Sequence, residues 1–219
     1  PDVGGSWFLQ RMPGRSGLFL ALTGAPLNAS DALFAGLADF GLQAAGLPAL
    51  LDDIASADWQ GEQQADAARL DHLLARQAVH DLPASALQAH LPRINELIAR
   101  DTLAEIAPRL AVLATDADPW LAQAGASFVK GSPTSAALSF EMQRRTRHAS
   151  LAEVFRLEYQ ASVGCCLQHD FAEGVRALLV DKDKNPQWQP AALDAVTPEL
   201  IEAHLAPRFE GQHPLADLT

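Results

Sequence analysis

The sequence predicts a mainly α-helical protein, and three kinds of pattern support that fold class. Apolar residues recur at the three- and four-residue spacing of one helix face, for example at Leu103, Ile106, Ala107, Leu110 and Leu113. Capping boxes, in which an acceptor residue precedes a carboxylate residue by three positions, mark several helix starts. Prolines at first helical positions mark others. The chain lacks the period-two alternation that is typical of half-buried strands.

Short helices are expected at the amino-terminal end. A first amphipathic stretch runs over residues 7–9 and 17–22 with an interruption at Pro13-Gly14, and Thr23-Gly24 ends it. Proline interrupts a helix because it lacks an N–H group, and glycine readily adopts the left-handed conformation that closes a helix.

The next segment contains the best strand candidate of the sequence. Ser30 is expected to cap a helix over residues 31–35, and Gly36 stands where a left-handed residue usually follows such a helix. Residues 37–40 then predict one short strand.

From residue 47 to residue 129 the pattern is helical throughout, and further start signals continue beyond it. The predicted capping boxes are Thr102 with Glu105, Ser150 with Glu153, and Asp170 with Glu173. Prolines at first helical positions follow Asp118, Ser132 and Thr197. The loop 182–186 separates a helix that ends near Val180 from a last helix over residues 199–205.

Composition restricts the kind of partner. The 219 residues are 48% hydrophobic and 20% charged, which is ordinary for a globular chain. The formal net charge of −11 argues against nucleic acid or an anionic membrane as the main partner, and a polyanionic ligand would need a local basic patch. The apolar runs are far shorter than the roughly 20 residues that cross a bilayer.

The cysteines and histidines indicate neither a disulfide nor a metal site. Cys165 and Cys166 are adjacent, and neighbouring residues rarely bridge each other, so both are expected to be packing residues in a reducing compartment. The seven histidines lack the spacing of metal ligands such as a helical HExxH, so no metal is expected. The expected location is cytoplasmic, or the mitochondrial matrix in a eukaryote.

Two clusters of residues resemble one known family. The first comprises Pro1-Asp2-Val3-Gly4-Gly5-Ser6-Trp7-Phe8-Leu9, then Leu22-Thr23-Gly24, Ala32 and Gly36-Leu37-Ala38. The second comprises Pro133-Thr134-Ser135, Glu158-Tyr159, Cys166, Asp170-Phe171, Glu173-Gly174-Val175-Arg176-Ala177-Leu178-Leu179, Asp181-Lys182-Asp183, Pro186 and Trp188. The first cluster is similar to the crotonase superfamily just past its second catalytic segment. The second is similar to the tail of the 3-hydroxyisobutyryl-CoA hydrolases within that superfamily.

This resemblance implies that the chain is the carboxyl-terminal part of an α/β crotonase fold, a ClpP/crotonase-like spiral, with a helical carboxyl-terminal region. Residues 1–46 would form the end of the crotonase core, 47–130 a helical region and 131–219 a second helical region. The opening at Pro1, without an initiator methionine, agrees with a cleaved or cropped chain. The implied partner is the amino-terminal crotonase core segment, and a homo-oligomer stays open.

The resemblance also implies an activity, the hydrolysis of a 3-hydroxyacyl-CoA thioester. The expected substrate is 3-hydroxyisobutyryl-CoA of valine catabolism, and no cofactor is expected because coenzyme A is part of the substrate. Asp2 stands where these hydrolases carry aspartate and hydratases commonly carry glycine. It would share the catalytic work with a glutamate that lies, like the oxyanion-hole loops, upstream of this chain. By pattern alone, Asp2 would instead be a turn or N-cap residue for the helix that follows.

Two alternatives stand beside the hydrolase. An enoyl-CoA hydratase or isomerase has the same fold, although Asp2 argues against it. Because the upstream glutamate is missing, the isolated chain could also be a non-catalytic helical fragment that associates with the missing amino-terminal half.

Further site residues follow from the resemblance, because tails of this superfamily often bring lysine and aromatic side chains near coenzyme A. The corresponding positions are Phe171, Arg176, Lys182 and Lys184. A basic cluster, Arg144-Arg145-Thr146-Arg147-His148, is either a solvated helix end or a second contact for CoA phosphates.

Two other patterns allow both a structural and a functional interpretation. Gly4 and Gly5 precede a helix and form either a tight turn or a phosphate-binding loop. Asp170 and Glu173 form either a capping box or a catalytic carboxylate pair.

Overall fold

The structure is a computed structural model and describes residues 2–219, so that Pro1 of the family motif lies outside the described residues. Within that range the chain forms twelve α-helices: α1 Gly5–Leu9, α2 Ser16–Thr23, α3 Ala29–Phe34, α4 Leu47–Ser56, α5 Gln63–Gln77, α6 Ala86–Ile98, α7 Leu103–Val112, α8 Pro119–Lys130, α9 Pro133–Arg145, α10 Leu151–Leu167, α11 His169–Val175 and α12 Pro198–Leu205. A π-helical segment, Arg176–Val180, continues α11. The prediction of a mainly helical chain is confirmed. None of the described helices is both long and apolar enough to span a bilayer.

The chain packs into two compact units. One contains the residues up to Ala25 together with Leu91–Thr219, and the other contains Pro26–His90. These units reflect packing, whereas the predicted division at residues 46 and 130 concerned the regions of the family and stays a prediction.

The unit Pro26–His90 is organised around a buried carboxylate. Asp31, in the first turn of α3, is 1% exposed and accepts hydrogen bonds from the Ser85 hydroxyl at 2.7 Å and the Leu87 N–H at 2.8 Å. These bonds tie α3 to the start of α6 and satisfy a group that would be costly to bury alone.

The larger unit has a core cluster where α9, α10 and α12 meet. Its buried members are Leu138, Met142, Ala161, Ile201 and Leu205. The close crossing of α10 and α12 depends on Gly164, since a Cβ atom there would lie 2.1 Å from the carbonyl oxygen of His204. Only a residue without a side chain allows the two backbones to approach so closely.

The predicted helix starts are confirmed at most positions. Thr102 with Glu105 and Ser150 with Glu153 form complete capping boxes. Asp118, Ser132 and Thr197 each accept a backbone N–H ahead of a helix that opens on proline. Gly36 adopts the predicted left-handed conformation with φ of 70°.

Two predictions for the segment 28–40 were wrong. The N-cap of α3 is Asn28 rather than Ser30, because Asn28 forms a capping box with Asp31. Residues 37–40 form no strand, since the N–H groups of Leu37 and Ala38 both donate to the carbonyl of Ala32 and close the end of α3. The only β-type pairing within residues 2–219 is an isolated bridge between Leu42 and Ala78.

Candidate functional site

Asp2 lies on a tight turn directly before α1. Its carbonyl oxygen accepts the Gly5 N–H at 2.7 Å, and its side chain is exposed. The N-cap of α1 is Gly4, whose φ is 88°, and no side chain caps the helix locally. Asp2 is therefore a turn residue through its backbone but does not cap α1, and its carboxylate accepts no hydrogen bond from the residues that the structure describes.

The beginning of α1 is held by a carboxylate from a distant part of the chain. Glu158 of α10 is 2% exposed, and its two oxygens accept the N–H groups of Gly4 at 2.6 Å and Ser6 at 2.7 Å. Charged hydrogen-bond partners of this kind stabilise the positive end of a helix. The phosphate-loop interpretation of Gly4 and Gly5 is therefore wrong. The Gly4 N–H already donates to the Glu158 carboxylate, and the Gly5 N–H donates to the Asp2 carbonyl.

Glu158 is one of the residues that carry the family resemblance, but the resemblance implies no role for it. A signal for that role was present, because Val154 and Ala161, which share one face of α10 with Glu158, are apolar. A carboxylate on the buried face of a helix requires a buried donor. The identity of the donors could not be predicted, since Gly4 and Ser6 are more than 150 positions away.

A cavity of about 660 Å³ lies beside the carboxyl-terminal end of α10 and is lined mainly by apolar side chains. These include Leu138, Phe171, Val175, Leu178, Leu179 and Trp188. Polar groups at its wall include Lys130, Lys184 and Thr134. The Thr134 hydroxyl is buried and has no hydrogen-bond partner among the described residues.

The structure separates the four predicted CoA-binding positions. Phe171 and Lys184 lie together in the wall of the cavity, whereas Lys182 and Asp2 do not line it. Phe171 is 56% exposed, so its ring is open to a ligand. Arg176 is occupied within the chain.

Arg176 lies among three carboxylates. It donates to Glu173, Asp181 and Asp183, each at 2.7 Å, and this environment raises the pKa of the guanidinium. The bond from Arg176, together with the backbone N–H of Gln187, lowers the pKa of Glu173 to about 2. Arg176 thus organises the turn after the π-helical segment, and its contact with CoA stays a prediction from the resemblance.

The capping box predicted at Asp170 and Glu173 was wrong. The N-cap of α11 is Gln168, and Asp170 lies inside the first turn. The Asp170 carboxylate instead accepts the Ser132 hydroxyl at 2.5 Å and the Gln189 N–H at 2.8 Å. Donors from distant parts of the chain therefore replace the predicted capping interaction. The carboxylates of Asp170 and Glu173 accept the N–H groups of Gln189 and Gln187, and so hold the segment 185–189 beside the cavity.

The remaining candidates have structural surroundings. Cys165 lies in the cavity wall, and burial raises the pKa of its thiol, which disfavours a reactive thiolate. Arg144 and Arg145 both pair with Glu141, and Arg144 is the main cause that lowers the pKa of Glu141 to about 2. This pairing favours the helix-end interpretation of the basic cluster.

Comparison with known proteins identifies the family. Residues 1–205 match the family model described as enoyl-CoA hydratase/isomerase. The chain belongs to this family.

Similar proteins of this family carry informative names. A protein of Gallus gallus named mitochondrial 3-hydroxyisobutyryl-CoA hydrolase is 37% identical over 203 residues, which cover 92% of this chain and 51% of that protein. Its Homo sapiens counterpart of the same name is 34% identical over 212 residues, which cover 93% of this chain and 52% of that protein. The chain therefore spans about half the length of the relatives it matches.

Solved structures agree with the family assignment. An enoyl-CoA hydratase from Rhodobacter sphaeroides matches with a TM-score of 0.74 at 36% identity, over 94% of this chain and 56% of that one. A carnitinyl-CoA dehydratase from Mycobacterium thermoresistibile matches with a TM-score of 0.77 at 34% identity, over 97% and 58%. This helical chain thus has the structure of the corresponding part of crotonase-type proteins.

Proposed function

We propose that this chain is the carboxyl-terminal half of a hydrolase that cleaves 3-hydroxyisobutyryl-CoA during valine breakdown. The observation that carries the proposal is the exposed carboxylate of Asp2, presented on a turn that a buried residue holds in place. The names of the similar proteins support the choice of acyl group. The acidic residue at this position argues against a hydratase, in which the resemblance implies glycine.

In the proposed reaction, one water molecule converts the thioester into a free carboxylic acid and the coenzyme A thiol. The carbonyl carbon gains an oxygen, the carbon–sulfur bond breaks, and the departing sulfur takes up a proton. The oxyanion that develops on the carbonyl needs preorganised N–H donors. As the resemblance implies, an upstream glutamate attacks or acts as the base, and Asp2 orients the substrate hydroxyl or a water.

This division of labour requires a partner segment. The second carboxylate and the oxyanion donors belong to the amino-terminal crotonase core in the proposed enzyme, and this chain supplies Asp2 and the helical tail. The isolated chain is then catalytically incomplete.

The cavity beside α10 is the proposed position of the adenosine and phosphate end of coenzyme A. Phe171 offers a ring face for stacking, while Lys130 and Lys184 provide local positive charge on a chain of net charge −11. Apolar walls with a few directed polar groups are typical of cofactor-sized sites.

A direct assay of the full-length protein tests the reaction class. We expect the release of free thiol from 3-hydroxyisobutyryl-CoA to be faster than the hydration of crotonyl-CoA, followed as loss of enoyl absorbance under the same conditions. Dominant hydratase activity would reject the hydrolase and select the enoyl-CoA hydratase alternative.

A further inference from the structure

The turn that carries Asp2 adopts an unfavourable backbone conformation. Val3 has φ of 47° and Gly4 has φ of 88°, so two consecutive residues are left-handed. A β-branched residue such as Val3 rarely adopts this conformation, because its side chain crowds the backbone. Val3 is 77% exposed, so packing of its side chain does not compensate for the strain. Another interaction must hold the turn.

Glu158 supplies that interaction. Gly4 and Ser6 stand on either side of Gly5, the first residue of α1. Their N–H groups both donate to the Glu158 carboxylate, at 2.6 and 2.7 Å. Gly4 and Ser6 are buried, so without this carboxylate both N–H groups would lose their partner in a site closed to water. Leu151 and Phe155 of α10 lie close to this turn, since a Cβ atom built on Gly4 would be in ordinary van der Waals contact with them, at 3.4 and 3.5 Å.

The geometry points to Glu158 as the positioning residue for Asp2. Its carboxylate fixes Gly4, two positions after Asp2, and so sets where the Asp2 carboxylate lies relative to the substrate. Glu158 is buried and acts through the turn, without touching the reacting atoms. This inference rests on the proposed hydrolase function for its catalytic consequence, but its structural part can be tested separately.

The catalytic test compares variants of the full-length protein. Glu158→Gln keeps the size of the side chain but replaces one acceptor oxygen with an amide that cannot accept a hydrogen bond. A displaced catalytic group lowers the rate, so we expect kcat for thioester hydrolysis to fall on the order of 10- to 100-fold. The KM should change by less than about threefold, because only the reacting end of the substrate is affected.

A matched control separates positioning from lost stability. Val154, one turn before Glu158 on α10, is fully buried. Val154→Ala should lower the melting temperature while kcat, measured well below that temperature, stays near the wild-type value. An equal loss of kcat in Val154→Ala would reduce Glu158 to a structural residue and overturn the inference.

A double variant tests most directly whether Glu158 acts on the rate through Asp2. If Glu158 acts through Asp2, Glu158→Gln should cost little further rate in a protein that already carries Asp2→Asn. Rate losses that multiply in the double variant would show that the two residues act independently and would overturn the inference. If Glu158→Gln fails to fold, Glu158→Asp retains the charge on a shorter side chain, and the same coupling is measured with that variant.

A measurement without substrate keeps the inference distinct from the proposed function. In the wild-type protein, the amides of Gly4 and Ser6 should exchange slowly with deuterium, and the exchange should be about tenfold faster or more in Glu158→Gln. Unchanged exchange in the variant would overturn the positioning role whatever the activity. A wild-type protein that releases no thiol but shows this exchange pattern would reject only the hydrolase function.

Discussion

At the scale of single residues, the chemistry of this chain depends on how its carboxylates are partnered. Asp170, Glu158 and Glu173 are buried and accept two or more hydrogen bonds each, so they act as structural anchors. Asp2 is different, because its carboxylate is exposed and accepts no hydrogen bond from the described part of the chain. A charged group that is free yet carried by a fixed backbone is suited to contact a substrate.

The substitution Asp2→Asn distinguishes a catalytic role from a role in the turn. It preserves the shape of the side chain and the backbone carbonyl that accepts the Gly5 N–H. In the full-length protein we expect kcat to fall on the order of 100-fold, about 2.7 kcal/mol of barrier, since the charge is lost. The melting temperature should change little because Gly4, not Asp2, is the N-cap of α1. Near-normal turnover would remove Asp2 from the catalytic residues.

Lys184 and Lys182 provide a matched pair for the proposed coenzyme A contact. Both lysines are exposed and have a left-handed backbone conformation in the same turn, but of the two only Lys184 lines the cavity. Lys184→Ala should therefore raise the KM for the acyl-CoA several-fold with little change in kcat, since it removes binding that is equal in the ground and transition states. Lys182→Ala should leave both constants unchanged. Equal effects of the two variants on KM would argue against the cavity as the binding site.

At the scale of elements, predictions succeeded where the signal was local. The capping boxes at Thr102 and Ser150 need only a carboxylate three residues later, and both formed. The same three-residue spacing failed at Asp170, because Ser132, 38 positions away, offered its hydroxyl to that carboxylate. The strand expected at 37–40 failed for a different, local reason, since the N–H groups of Leu37 and Ala38 close the end of α3. The sequence pattern around Asp170 does not show that Ser132 competes for its carboxylate.

The crossing of α10 and α12 also depends on a long-range contact, and it can be tested by adding one carbon atom. Gly164→Ala should destabilise the protein by about 1–3 kcal/mol or more, because the new Cβ atom would overlap the carbonyl oxygen of His204. Ser162→Ala, at an exposed position of the same helix, is the control and should change stability little. Urea unfolding of both variants in the full-length protein measures the difference. Equal stability of the two variants would mean that the helices separate without cost.

At the scale of the whole molecule, the described residues carry one exposed catalytic candidate, a cavity of about 660 Å³ and a largely structural helical framework. Its family could be predicted from the sequence because the residues of the two clusters form short stretches that can be recognised without knowledge of the fold. The assembled site could not, since the resemblance places the second carboxylate and the oxyanion donors in the upstream core. The chain spans about half the length of its named relatives, which agrees with this division.

The most direct test of the central claim measures coenzyme A release from 3-hydroxyisobutyryl-CoA by the full-length protein and by the 219-residue chain at equal concentration. The proposed division of the active site predicts steady turnover by the full-length protein and none above the uncatalysed rate by the chain. In the proposed division the chain contributes only Asp2 of the required groups, and binding alone does not stabilise the developing oxyanion. Circular dichroism of both samples confirms that each is folded. Turnover by the folded chain alone would contradict the account.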